Sequence, residues 1–402
     1  MAGATKDRRG ELVDRRMLTE PSAYWTQLGA DGPVRWSEHH RGWLVLSHAE
    51  VSDAFRDHRL SADRVGSLER AAAHHPEAFA RTVELLSGWM IFRDPPAHTR
   101  LRDPVRVAFT PRRVERLSEE IVSLTHELLD EATAAGRLDV REELASPLPG
   151  LVIAELLGVP RELRARFRNW SDDLAEIVFS IRPTEIDPAP VSRATDEFIE
   201  FFTALISQYR AEPEDNLISA LVHNSQGLSE MELVGACTLL LFAGHETTTN
   251  LLTTAIGHLA THPDDLARLH DDASLDATAV EEFVRTMGPA ATMVRKVGIG
   301  HDRAGHHLEP GQTMYLSIAA ANHDTAVYDD PDRVNLSRDP NPHLGFGWGP
   351  HHCLGVGLAR LETRLVLREV VNRFPNLRPD DGITDLSGDA LGRARIRVPL
   401  LV

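Results

Sequence analysis

Ser229 and Glu232 form a Ser-x-x-Glu capping box, and the next proline does not occur until Pro263. A helix opened there can run to His262, so about 33 residues at 1.5 Å rise would span roughly 50 Å. Its middle, Leu233 to Gly244, is a twelve-residue apolar run. A helix that long, with an apolar waist, has to cross a protein interior and dictates a large helical body packed around it. The run ends in His245-Glu246 and is too short for a bilayer, which asks for about 20 apolar residues.

The rest of the chain agrees. Helical spacing punctuated by glycine and proline runs from Pro111 to Ala135, Val140 to Leu157, Arg161 to Phe179 and Ser192 to Tyr209. Pro33-Val34-Arg35-Trp36 and Trp43-Leu44-Val45-Leu46 flank Gly42 as a hairpin. Thr292-Met293-Val294 and Thr313-Met314-Tyr315-Leu316 read as further strands. Residues 61–92 lack steady periodicity and read as a long connection, and three prolines between Arg182 and Pro190 suggest the tip of a helix pair. The expected fold is mainly α with a small β region. Residues 1–15 are expected to be disordered and 16–402 to form one domain.

Two short strings carry chemistry. Cys353 lies in Phe346-Gly347-Trp348-Gly349-Pro350-His351-His352-Cys353-Leu354-Gly355, just ahead of a helical stretch from Leu354 to Phe374. A lone cysteine in a turn is ordinarily a small apolar filler. Here glycines let backbone N–H groups approach the sulfur, and the following helix aims its positive end at it. Both favour thiolate. A single anionic sulfur suits one axial bond to iron better than tetrahedral zinc, which needs several ligands. The second string is Ala243-Gly244-His245-Glu246-Thr247-Thr248, inside the long helix. A carboxylate and a hydroxyl in so apolar a helix are costly unless used. The alternative is a threonine that bonds its own i−4 carbonyl at Ala243. Gly244 suggests room for a bulky ligand against the helix.

The first string resembles the haem-ligand signature of the cytochrome P450 family, Phe-Gly-x-Gly-x-His-x-Cys-x-Gly, at all six fixed positions: Phe346, Gly347, Gly349, His351, Cys353 and Gly355. The second resembles that family's oxygen-binding motif. The resemblance implies a triangular helical prism enclosing haem b, with Cys353 as iron ligand. Thr247 would hydrogen-bond oxygen or its water, and Glu246 would link the site to solvent protons. Asp94 to Arg102 resembles the family's stretch over one haem edge. His98, Arg102, Arg295 and His351 are therefore expected on the propionates. Glu282-Phe283-Val284-Arg285 resembles the family's Glu-x-x-Arg, with Arg333 as its implied third member and a structural role. An apolar substrate wall is expected from Leu240, Ala243, Gly244, Ala290, Ala291 and Met293. The implied activity is monooxygenation of a small, largely apolar molecule by O2. Peroxide-driven or non-insertive oxidation, or a non-enzymatic haem sensor, are the rival readings.

The net charge of −17 speaks against unspecific nucleic-acid binding. Cys237 and Cys353, the two cysteines, indicate no disulfide framework. With no apolar leader in Met1 to Arg16, a cytoplasmic monomer off the membrane is expected. From Arg93 to Arg116 seven arginines face three acids, Asp94, Asp103 and Glu115. That local excess suggests a docking patch for an acidic ferredoxin or flavodoxin served by its reductase.

Overall fold

The computed structural model describes residues 11–14, 16–160, 166–179, 186–225, 227–380, 386–387, 394–395 and 398–402. The helices that position the site are α1 (His48–Ala54), α2 (Val65–Ala72), α3 (Pro76–Ser87), α4 (Ala97–Ala108), α5 (Ser118–Ala135), α6 (Pro147–Leu157), α7 (Arg166–Phe179), α8 (Pro188–Ala211), α9 (Glu230–Thr261), α10 (Asp276–Met287) and α11 (Val356–Arg373). The main sheet holds β1 (Val34–Ser37), β2 (Gly42–Val45), β3 (Leu60–Ser61), β4 (Thr292–Val297) and β5 (Thr313–Ser317) in the order β1-β2-β5-β4-β3. β2 runs parallel to β5 and the other pairs are antiparallel, with Arg295 opposite Met314. A second small sheet joins Arg137–Asp139, Pro399–Leu401 and Arg378–Pro379.

α9 is the axis. Its capping box is formed as the sequence predicts, with Ser229 Oγ accepting from Glu232 N–H and the Glu232 carboxylate accepting from Ser229 N–H. α6, α8 and α11 pack around it, so Leu252, Ala255 and Ile256 are wholly buried. Truncating Leu252 to Ala would cost about 2–5 kcal/mol. Among the described residues no helix is long and apolar enough to cross a membrane.

Four expectations need correction. Residues 61–92 are not one long loop. They hold α2 and α3, whose apolar residues Leu68, Phe79, Leu85 and Leu86 join the main core. The order of the N-terminus begins before residue 16. Leu12 is buried, and Glu11 accepts hydrogen bonds from Arg35 and Ser37 while its carbonyl accepts from Tyr24. Residues 1–10 and 15 lie outside the described residues, as do 180–185 of the expected helix tip. The expected helix from Val140 is a π-helical turn, Val140–Ala145, before α6 begins at Pro147. Pro147 has no N–H to continue the preceding ladder. α8 starts at Pro188, earlier than Ser192, because Asp187 caps it by accepting from Ala189 N–H.

Candidate active site

The loop before α11 is built to present one sulfur. Cys353 N–H donates to Phe346 O at 2.9 Å, closing the loop on itself. Gly349 has φ +73°, and a Cβ there would lie 2.6 Å from the carbonyl oxygen of Phe55, so the loop meets the end of α1 backbone to backbone. The backbone N–H of Gly355, just ahead of α11, acts on the sulfur and favours its anion. Burial nevertheless pushes the Cys353 thiol up, outweighing Gly355, Arg102 and Arg360, which pull it down. The backbone N–H does favour thiolate, as expected, but without a bound metal desolvation is the larger effect. A cation bound at the sulfur would supply the missing stabilisation. Cys237, wholly buried in α9, is pushed up to about 12 by burial alone and only packs.

Cations converge beside this loop. His98 and Arg102 share one face of α4, with His98 buried and Arg102 half-buried. The His98 and His351 ring centroids are 4.2 Å apart. Neither ring nitrogen of the buried His98 has a hydrogen-bond partner among the described residues. Arg102 Nη2 donates to His352 O at 2.6 Å. Arg295, 9% exposed, donates among the described residues only to the adjacent carbonyl of Val294, at 2.9 Å. Burial lowers His351 to about 3, helped by Arg295, His98 and Arg102, and lowers Arg295 to about 10. Among the described residues no carboxylate makes an ion pair with Arg102 or Arg295. Buried positive groups left this way call for a dianionic rim. Haem's two propionates, with the thiol beneath, fit this donor set.

α9 carries one open stripe. Ala243 and Thr247 are exposed although their helix is otherwise buried there, and Gly244 and Glu246 are half-buried. The Thr247 hydroxyl donates to Ala243 O at 2.7 Å, so the i−4 bond and the open position coexist. Gly244 has a different reason from the one expected. A Cβ would meet Ile153 Cγ1 at 3.2 Å, so the glycine lets α6 approach α9. Glu246 Oε1 accepts from Arg141 Nη2 at 3.0 Å and Asn250 Nδ2 at 3.1 Å, and Arg141 Nη1 donates to Asn250 Oδ1 at 2.7 Å. His245 turns away and bonds Ser146 O through Nε2 at 2.9 Å. Arg141 could not be found from sequence, since it lies far from Glu246 in the chain and in no recognisable motif.

Of the expected substrate wall, Met293 is 37% exposed and Leu240 is 8% exposed one turn before Ala243. Ala290 is half-buried and packs toward the sheet core. Ala291 does not belong to the wall. It is 2% exposed, packs in the cluster with Tyr24 and Trp25, and its carbonyl accepts from Ala319 N–H. Ile91, missed in the sequence, is 40% exposed in the turn Met90–Phe92 just ahead of α4.

Behind the cysteine loop lies a closed polar network. Glu282 and Arg285 are wholly buried and pair bidentately at 2.8 Å. Arg285 also donates to Asn322 O at 2.7 Å and Pro331 O at 2.8 Å. The third member is Arg338, whose Nε reaches both Glu282 oxygens at 3.1 Å. Arg333 is exposed and offers only its backbone carbonyl, at 3.3 Å from Arg285 Nη2, which corrects the sequence assignment. A five-residue offset within one irregular segment is invisible to motif spacing. Neighbouring Glu281 was also missed. Burial works against its charge, yet His343 and Arg360 hold it down at about 2, and Arg360 lies 5.1 Å over the Phe346 ring.

The arginine excess from Arg93 to Arg116 is largely neutralised by acids from elsewhere. Arg100 pairs with Glu232, Arg113 and Arg116 with Asp215, and Arg93 loosely with Asp63 at 3.9 Å. Arg106 turns to Asp103, and Arg112 remains exposed with no ion pair among the described residues.

The chain matches the family model described as Cytochrome P450 over residues 70–389. It is 38% identical to the cytochrome P450 monooxygenase PikC of Streptomyces venezuelae over 371 residues, 90% of this chain and 85% of that one. It is 36% identical to the vitamin D(3) 25-hydroxylase of Pseudonocardia autotrophica, covering 94% and 92%. A crystal structure of P450BioI in complex with a fatty-acyl-ligated acyl carrier protein superposes with a TM-score of 0.86 at 30% identity, covering 96% and 98%. The chain belongs to the cytochrome P450 family, haem b oxidoreductases that insert one atom of O2 into a small-molecule substrate with electrons from a ferredoxin or flavodoxin and its reductase.

Proposed function

We propose that this enzyme hydroxylates a small, mainly apolar molecule held between Ile91, Met293 and the open stripe of α9. The observation that carries this reading is that stripe: Ala243 and Thr247 stand exposed in the middle of a buried helix, with Glu246 beside them. Cys353 would hold haem iron, and His98, Arg102, Arg295 and His351 would hold its propionates. When bound, haem supplies the oxygen-activating chemistry. The Thr247 hydroxyl donates to Ala243 O and keeps its lone pairs free to accept a hydrogen bond from a water in the pocket. Glu246 is anchored at its outer end by Arg141 and Asn250 and can pass protons from the half-buried surface inward. The apolar wall excludes competing water. Free thiols at Cys237 and Cys353 support a reducing, cytoplasmic setting.

Turnover under isotopically labelled O2 tests this, once a spectral titration of the ferric enzyme finds a ligand that displaces iron-bound water. Product should carry one labelled oxygen. Thr247→Ala should keep consuming electrons while product falls about tenfold or more and peroxide rises. Label-free product formed from added peroxide would favour the peroxide-driven reading instead. Unchanged product in Thr247→Ala would move the proton route elsewhere.

A further inference from the structure

Among the described residues, burial lowers three arginines below their ordinary basicity: Arg64, Arg102 and Arg295. None of the three makes an ion pair with a carboxylate there. Arg102 and Arg295 are accounted for by the haem rim, where both act electrostatically on His351. Arg64 stands apart, because burial is the only influence resolved on it.

Its position is well defined. The Arg64 N–H donates to Phe92 O at 3.2 Å, and its guanidinium carbon lies 5.2 Å over the Phe92 ring. Nη2 reaches Val178 O, in the last turn of α7, at only 3.4 Å. The adjacent Asp63 does not serve it. That carboxylate accepts from Val65 N–H at 3.0 Å and lies 3.9 Å from Arg93. Phe92 stacks on Trp89 at 5.8 Å, and Trp89 meets Phe242 at 5.0 Å, immediately before Ala243 on α9. An aromatic run therefore joins the cation to the open stripe, with exposed Ile91 beside it. A half-buried guanidinium with one long carbonyl contact among the described residues keeps most of its donors for an anion.

We propose that Arg64 is a specificity-determining residue that receives an anionic head group, carboxylate or phosphate, on an otherwise apolar substrate whose other end lies at Ala243 and Thr247. This rests on the monooxygenase reading and narrows its substrate class.

Ferric holoenzyme is titrated with octanoate, dodecanoate and hexadecanoate, with their methyl esters, and with dodecyl phosphate, following both the spin-state spectrum and equilibrium dialysis. The acid or the phosphate should bind about tenfold or more tighter than the ester of the same length, the better of the two naming the head group. Arg64→Gln should bring the anion down to the ester's affinity and leave the ester unchanged, while Arg64→Lys should keep part of the preference. Equal binding of anion and ester, no binding by any member of the series, or a preference that survives Arg64→Gln would overturn the proposal. So would faster haem loss from Arg64→Gln with ligand preference intact, which would place Arg64 on the haem. The monooxygenase reading fails separately, by absence of the sulfur-ligated carbon monoxide spectrum or of labelled product.

Discussion

The charges gathered beneath Tyr328 and those gathered beside His98 are both withdrawn from water, yet only the first group closes on itself. Glu282 answers Arg285 and Arg338, and backbone carbonyls take the remaining Arg285 donors. Around His98 the partners are two arginines and a second imidazole, with no acid paired to them among the described residues. The first arrangement is scaffold, complete without any ligand. The second is what half of an ion pair would look like, the proposed other half being the haem propionates. The same family motifs contributed both, so their roles are told apart by whether the charges balance and not by how deeply they are buried.

Arg285→Ala is the most severe test of this contrast. It leaves Glu282 buried beside a hole, and the holoenzyme should lose about 3–5 kcal/mol of stability by denaturant titration. Haem and helical structure should disappear together. In Arg295→Ala haem should leave first, at denaturant concentrations where circular dichroism is still native. If both variants melt in one step at the same midpoint, the distinction is broken.

Glu362, in α11, sharpens the contrast from a third side. It is 2% exposed, Oε1 has no partner among the described residues, and burial pushes the carboxyl up to about 8. Between about pH 5 and 8 the folded chain would keep a proton that the unfolded chain releases, so stability falls as pH rises through that window. Glu362→Gln has no proton to lose and should gain on the wild type by a few kcal/mol at pH 8, converging with it near pH 4. A constant difference across that range would mean the carboxyl is ionised in the fold.

Arg338→Ala should cost about 1.5–3 kcal/mol, since it strips hydrogen bonds from a buried carboxylate, whereas Arg333→Ala should stay within about 0.5 kcal/mol. The reverse order would restore the sequence assignment. The smallest effect is expected at the surface. Arg112→Glu should slow reduction by an acidic ferredoxin less than about threefold, with shallow salt dependence, because its neighbouring arginines are already paired. A steep salt dependence would show that these pairs open to receive the partner.

Much of this architecture was legible in the residues. The capping box at Ser229 gave the start of α9, and Pro263 its end. The cysteine string matched the loop ahead of α11. What escaped were contacts between distant segments and elements without clean periodicity. α2 and α3 were hidden because His74, His75 and Pro76 break the spacing between them. Arg338 was missed because irregular backbone carries no period from which to count. Arg141 and Arg64 are ordinary basic residues in the sequence. Their meaning comes from Glu246 in one case and, in the other, from the lack of a paired acid among the described residues.

His245 and Glu246 sit side by side on α9, and both are tied to the short π-helical stretch with its closing serine, one through Ser146 O and the other through Arg141. A few residues outside the pocket therefore hold the carboxylate to which we assign the metering of hydrogen ions into it. Tuning that stretch offers a way to change how much reducing power ends as product and how much as peroxide, without altering which molecules the pocket admits.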